Sequence, residues 1–154
     1  MVSGESKAFS QLCAWAAQQQ TWILASGVRL IPNAMLDAKK AGVARPENIR
    51  LLAVPKIPVP EDPVLRALLE RACLLSQNNA GLTLHYGIYL RLDQSIDRRL
   101  LVQQLARVAQ YEQMRGIEGF FKQYLWEVEN VGYPSAPMEQ ATRLAVEKVC
   151  GCQA

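Results

Sequence analysis

The chain has 154 residues, half of them apolar and one fifth charged, with a formal net charge of +3. That length fits one domain, 1–154, with a core of its own, and the small, scattered charge argues against a nucleic-acid-binding protein. No window reaches the ~18 consecutive apolar residues of a membrane span, and the N-terminus "MVSGESKAFSQ" lacks a basic-then-apolar signal, so a cytoplasmic protein with neither nucleic acid nor membrane as partner is expected.

The first element predicted is a helix over 5–26. Phe9, Leu12, Cys13, Trp15, Ala16, Trp22, Ile23 and Leu24 fall largely at helical spacing. Gly27 stops it. Pro32 starts a second helix, 32–41, because proline is tolerated in a first turn, and Gly42 ends that one. "IRLLAVP", 49–55, reads as a short buried strand. Pro55, Pro58, Pro60 and Pro63 then exclude regular helix or central strand, which leaves an ordered, extended connector. Helical spacing returns over 63–76, and "SQNNAG", 76–81, is a turn cluster.

Residues 82–92, "LTLHYGIYLRL", alternate with period two. Leu82, Leu84, Tyr86, Ile88, Leu90 and Leu92 share one face, and Thr83, His85, Gly87, Tyr89 and Arg91 the other. This predicts one half-buried strand, with Gly87 marking a bulge or a close approach by another segment. Helices are predicted at 97–114, 116–129 and 136–149. Few strands against many helices imply an α+β fold. Residues 146–154 read as a frayed tail carrying free thiols at Cys150 and Cys152, since C-x-C lacks the common C-x-x-C spacing. Cys13 and Cys73 read as buried thiols.

The helix 97–114 raises the functional question. On a wheel at about 100° per residue, Leu101, Val102, Leu105, Ala106, Val108 and Ala109 cover one arc, and Gln103, Gln104, Arg107 and Gln110 the opposite one. Periodicity alone reads the polar arc as a solvated surface. The arc is mainly glutamine, however, rather than the Lys/Glu mixture common on such faces.

"LLVQQLARVAQYEQMRGIEGFFKQYLWE", 100–127, resembles a family of small bacterial zincin-like metal-dependent peptidases, whose members read L-L-x-H-E-L-x-H-x-x-Q-Y-E-R followed by G-G-I and F-x-x-Q-Y-L. "GVARPENIRLLAVPKIPVPEDP", "GLTLHYGIYLR" and "VGYPSAPMEQATR" resemble family segments in the same order, so the likeness spans about residues 28–145. In such a motif two histidines at i and i+4 hold zinc, and the glutamate after the first serves as general base on the metal-bound water.

The resemblance implies that Gln103 and Arg107 stand at the two histidine positions and Gln104 at the general base. Glu139, in "EQAT", is the retained candidate for a third ligand, and Ala141 replaces a second glutamate. Three of four functional positions are therefore changed. Glutamine is a poor zinc ligand, and Arg107 is permanently charged. At about 4 Å and an effective dielectric of ~20, a guanidinium repels a unit charge by about 4 kcal/mol and a divalent ion by twice that. Gln110, Tyr111, Phe120, Gln123, Tyr124 and Leu125 are expected to hold the helices together. The expected protein is a zincin-like α+β scaffold with no catalytic residue and no metal, zinc belonging to relatives with an intact motif. It would be a ligand- or peptide-binding or structural module, with an ion pair between Arg107 and Glu139. Candidate cleft residues are His85, Tyr89, Gln103, Gln104, Arg107, Gln110 and Glu139, with strand addition at an exposed edge of 82–92 as a way to take a peptide. The alternative is an atypical metal-dependent hydrolase using non-standard ligands, His85 among them.

Overall fold

In the computed structural model, residues 3–71, 80–95, 97–133 and 135–151 are described. They form helices α1 (Ser3–Ser26), α2 (Pro32–Lys40), α3 (Pro63–Arg71), α4 (Arg98–Gln113), α5 (Ile117–Asn130) and α6 (Pro137–Cys150), and strands β1 (Arg50–Val54), β2 (Gly81–Leu84) and β3 (Gly87–Arg91). The class is α+β. β3 is the central strand, parallel to β1 and antiparallel to β2.

The sheet is covered on both faces. Leu82, Leu84 and Tyr89 pack with Leu12, Ala16 and Ile23 of α1. Ile88 and Leu90 pack with Ala34 and Ala38 of α2 and with Leu105, Val108 and Ala109 of α4. A strand between two helical layers has no solvent face, so both of its alternating rows become apolar or internally bonded. Gly87 marks a close approach: a Cβ there would stand 3.0 Å from Ile23.

Three expectations change. The predicted single strand 82–92 is a hairpin, with His85 and Tyr86 as its two-residue turn. His85 has φ +60 and Tyr86 does not share a positive φ, the pattern of a type II′ turn, whose first position favours glycine. The turn also reassigns the faces. It pairs Leu82 with Tyr89 and Thr83 with Ile88, so even-numbered residues of β2 lie beside odd-numbered residues of β3. Leu82 and Leu84 therefore face α1 while Ile88 and Leu90 face α4. Next, the strand predicted at 49–55 is half-buried rather than buried, because β1 is an outer strand whose far edge carries, among the described residues, the single bridge of Leu51 to Val28. Last, the frayed tail does not begin at 146: α6 runs to Cys150, with Val146 and Val149 buried against Val102.

Cys13 is half-buried, and burial first, then Glu118, pushes its thiol up to about 11, so it stays unreactive at neutral pH. Cys73, Cys152, the end of the helix predicted to 76 and most of the turn cluster 76–81 lie outside the described residues.

The C-terminal end of α4 is fastened by one carboxylate. Glu112 Oε1 accepts the Ala44 N–H at 2.8 Å, and Oε2 accepts the Arg45 N–H at 3.0 Å and the Tyr86 hydroxyl at 2.7 Å. One side chain thus ties α4 to the loop before β1 and to the hairpin turn. Glu112→Ala should lower the unfolding free energy by about 2 kcal/mol, as expected for loss of charge-assisted hydrogen bonds. Chemical denaturation measures this, and an unchanged midpoint would show that the three bonds are replaceable by water.

Candidate functional site

Helix α4 is buried almost all round. Its N-terminus is set by Asp97, whose side chain accepts the Leu100 N–H at 3.1 Å. The apolar arc meets the sheet and α2. The polar arc, read from periodicity as solvated, is buried: Gln104, Arg107 and Gln110 are only 4%, 6% and 6% exposed. What covers them is β2 on one side and α5 and α6 on the other.

Most of these buried polar atoms meet a partner; Arg107 Nη1 and Gln110 Oε1 have none among the described residues. The Thr83 hydroxyl on β2 donates to Gln104 Oε1 at 2.7 Å. Arg107 Nη2 donates to Glu139 Oε1 at 2.8 Å, forming an ion pair whose side chains are 7% and 2% exposed. The Tyr124 hydroxyl donates to the same Oε1 at 2.9 Å, and the guanidinium carbon lies 5.4 Å from the centre of the Tyr124 ring, within cation–π range. Gln110 Nε2 donates to the Met138 carbonyl at 2.7 Å and to the Thr142 hydroxyl at 3.3 Å. Glu127 on α5 accepts the Met138 N–H at 2.8 Å and the Gln123 amide at 2.9 Å, so a carboxylate from a neighbouring helix satisfies an orphan donor in the first turn of α6.

The protonation states follow from these contacts. Burial works against the charge on Arg107, but Tyr124 and Glu139 outweigh it and hold the guanidinium more firmly protonated than usual. Burial, with Glu139 adding to it and Arg107 opposing it, pushes the Tyr124 phenol well above its ordinary range, so it remains a donor. Burial does the same to Tyr111, whose hydroxyl donates to the Thr83 carbonyl at 2.8 Å.

The structure brings together four of the seven candidate cleft residues, Gln104, Arg107, Gln110 and Glu139, but in a closed seam rather than an open cleft. Gln103 is half-buried and lines a shallow groove of about 540 Å³ with Arg99, Thr142, Arg143 and Glu147. Tyr89 lies on the other face of the sheet, where its hydroxyl bonds Gln19 of α1. His85 sits at the hairpin turn, its ring stacked on Tyr86 at 4.4 Å and tilted against Tyr111 at 5.8 Å. The edge expected to be open for strand addition is β2, and all four of its residues are buried. Sequence reasoning missed Thr83 and Glu127. Thr83 carries no signal of its own, whereas the i,i+4 spacing of Gln123 and Glu127 is a usable one.

This donor set does not suit zinc. Around the α4–α6 contact it offers two amides, a guanidinium and one carboxylate, and Oε1 of that carboxylate is already shared by Arg107 and Tyr124. The described residues include no grouping of three or more His, Cys, Asp or Glu able to hold a metal. Gln104 has no basic atom to accept a proton from water. No helix among the described residues is long and apolar enough to cross a membrane. No known protein family matches the chain, and neither does any curated protein or solved structure.

Two outcomes follow. Glu139→Ala strands a buried guanidinium and should cost about 3–5 kcal/mol, whereas Arg107→Met combined with Glu139→Leu should cost less than that single change. Thermal unfolding of both variants measures it, and a single variant that melts like the parent would remove the cross-link from the account. His85 is half-buried, and burial lowers its pKa while Glu112 partly opposes this. A depressed folded-state pKa means stability present above the unfolded value of about 6.5 and lost as pH falls through the folded value. Between about pH 7 and 5 the stability of His85→Gln should therefore fall less than that of the parent; parallel curves would count against the assignment.

Proposed function

We propose that the chain is a zincin-like protein without metallopeptidase activity, working as a binding or structural module. The observation that carries this reading is the buried Arg107–Glu139 ion pair. The resemblance sets one histidine ligand at Arg107 and the third ligand at Glu139, and these two side chains touch. A guanidinium there takes the place on Glu139 that a cation would occupy, and it cannot be deprotonated to make room. Gln104, at the general-base position, is bonded to Thr83 instead of being free to activate water. On this reading the two helices keep a cationic bridge, and the bridge is organic rather than metallic.

The groove beside Gln103 supports the binding branch of the proposal. It lies between the N-terminal half of α4 and α6, and the Arg99 and Arg143 guanidiniums and the Gln103 amide line it beside the Asp97 and Glu147 carboxylates, groups suited to a peptide backbone. The buried residues of the stripe are committed to the protein itself, so a ligand would meet only its surface end.

The proposal is tested by restoring the motif. Untagged parent protein, analysed for metal and titrated with zinc, should show no stoichiometric binding at micromolar concentration. The variant carrying Gln103→His, Gln104→Glu and Arg107→His should gain one zinc per chain, and Glu139→Ala in that background should weaken it. A tightly bound zinc in the parent would end the inactive reading. A folded triple variant that binds no zinc would end the zincin-like one.

A further inference from the structure

A second concavity, of about 760 Å³, lies between the 28–31 segment, α2 and the N-terminal end of α4. Ala34, Leu51 and Leu101 line it, and Val28, Ile31 and Leu36 stand around it with 65%, 67% and 54% of their surface exposed. Single exposed aliphatics are ordinary, but three around one hollow mark an interaction surface. The hollow also has a charge bias. Asp37 is held by two nitrogens of Arg98, at 3.0 and 2.9 Å, and Asp97 is engaged in capping α4. Arg29 and Lys40, on the same lining, take part in no ion pair among the described residues.

We infer that this groove seats an acidic, apolar peptide segment of a partner protein, with large side chains between Val28, Ile31 and Leu36 and carboxylates against Arg29 and Lys40. Apolar anchors in a hollow give affinity, and complementary charge at its edge gives selectivity and speed of encounter. A second copy of the chain is the poorer occupant. Two-fold pairing through this face would bring Arg29 and Lys40 towards their own equivalents. An anionic membrane is also the poorer occupant, because insertion favours a protruding apolar ridge and these residues border a hollow. The inference does not depend on the zincin-like reading.

The test uses the whole chain and two libraries of short synthetic peptides that contain leucine and phenylalanine, one with aspartate and glutamate and one with lysine and arginine at the same positions. Binding is followed by fluorescence anisotropy, alongside flotation with phosphatidylserine vesicles. Acidic peptides should bind at least about tenfold more tightly than their basic counterparts. Added salt should weaken them. Ile31→Asp should abolish binding. Ile31 is the uncapped residue before the first turn of α2, and aspartate is a better N-cap than isoleucine, so this variant should fold at least as well as the parent. Arg29→Glu with Lys40→Glu should invert the preference towards basic peptides. No preference for acidic peptides, or acidic binding that survives both variants, would overturn the inference. Vesicle binding lost in the same variants, without peptide binding, would overturn it in favour of a membrane surface.

Discussion

The structure turns on one buried cation. Arg107 projects from the middle of α4 to Glu139 on α6 and lies near the Tyr124 ring of α5, so three helices converge on one guanidinium. Removing such a pair from water costs several kcal/mol for each ion, and mutual attraction in a poor dielectric repays this only with good geometry. The geometry here is good at Glu139, whose Oε1 accepts from both Arg107 and Tyr124. A pair of this kind adds little net stability compared with two well-fitted apolar side chains. Its larger effect is on arrangement: α6 set in another register against α4 would leave a buried charge alone.

Around that pair the other polar bonds repeat the same logic at lower stakes. Gln110 fixes the first two turns of α6 through Met138 and Thr142, Glu127 holds the first of them from α5, and Gln104 joins α4 to β2 through Thr83. The apolar side of α4 is uniform, made of Leu105, Val108 and Ala109 against aliphatic neighbours, and could slide more easily. Position along the helix is thus specified mainly by its polar side, and contact area mainly by its apolar side. This division explains why a helix with so many amides can sit in the interior.

The helices were largely legible in the sequence, because their apolar spacing and their punctuation by Gly27, Pro32 and Gly42 act locally. The hairpin was not. Two turn residues leave the numerical alternation of 82–92 uninterrupted, while the chain reverses and the rows exchange faces. His85 also hides the turn, since glycine is the residue that would have announced it. The direction of the α4 polar arc was equally hidden, because a wheel separates polar from apolar residues but does not reveal whether water or protein lies beyond. The pairing of Arg107 with Glu139 was expected from the family resemblance, and the two residues are 32 positions apart, well beyond the reach of any periodicity. Thr83, which receives no hint from its neighbours in sequence, became visible only once β2 was set against α4.

The order of the strands has a kinetic consequence. β2 and β3 close over two residues, which is a local event on the microsecond scale. β1 must find β3 in parallel, Arg50 against Gly87, and the loop between them has to close before any pairing energy is returned. The proline-rich stretch from Pro55 to Pro63 stiffens part of that loop while the chain is still unfolded, since each ring fixes a backbone angle in advance. The expected sequence of events is a hairpin docked on α4, followed by late capture of β1. Until that capture β3 has an open edge, and the interval during which another chain could pair there is set by how fast this half-stiffened loop closes.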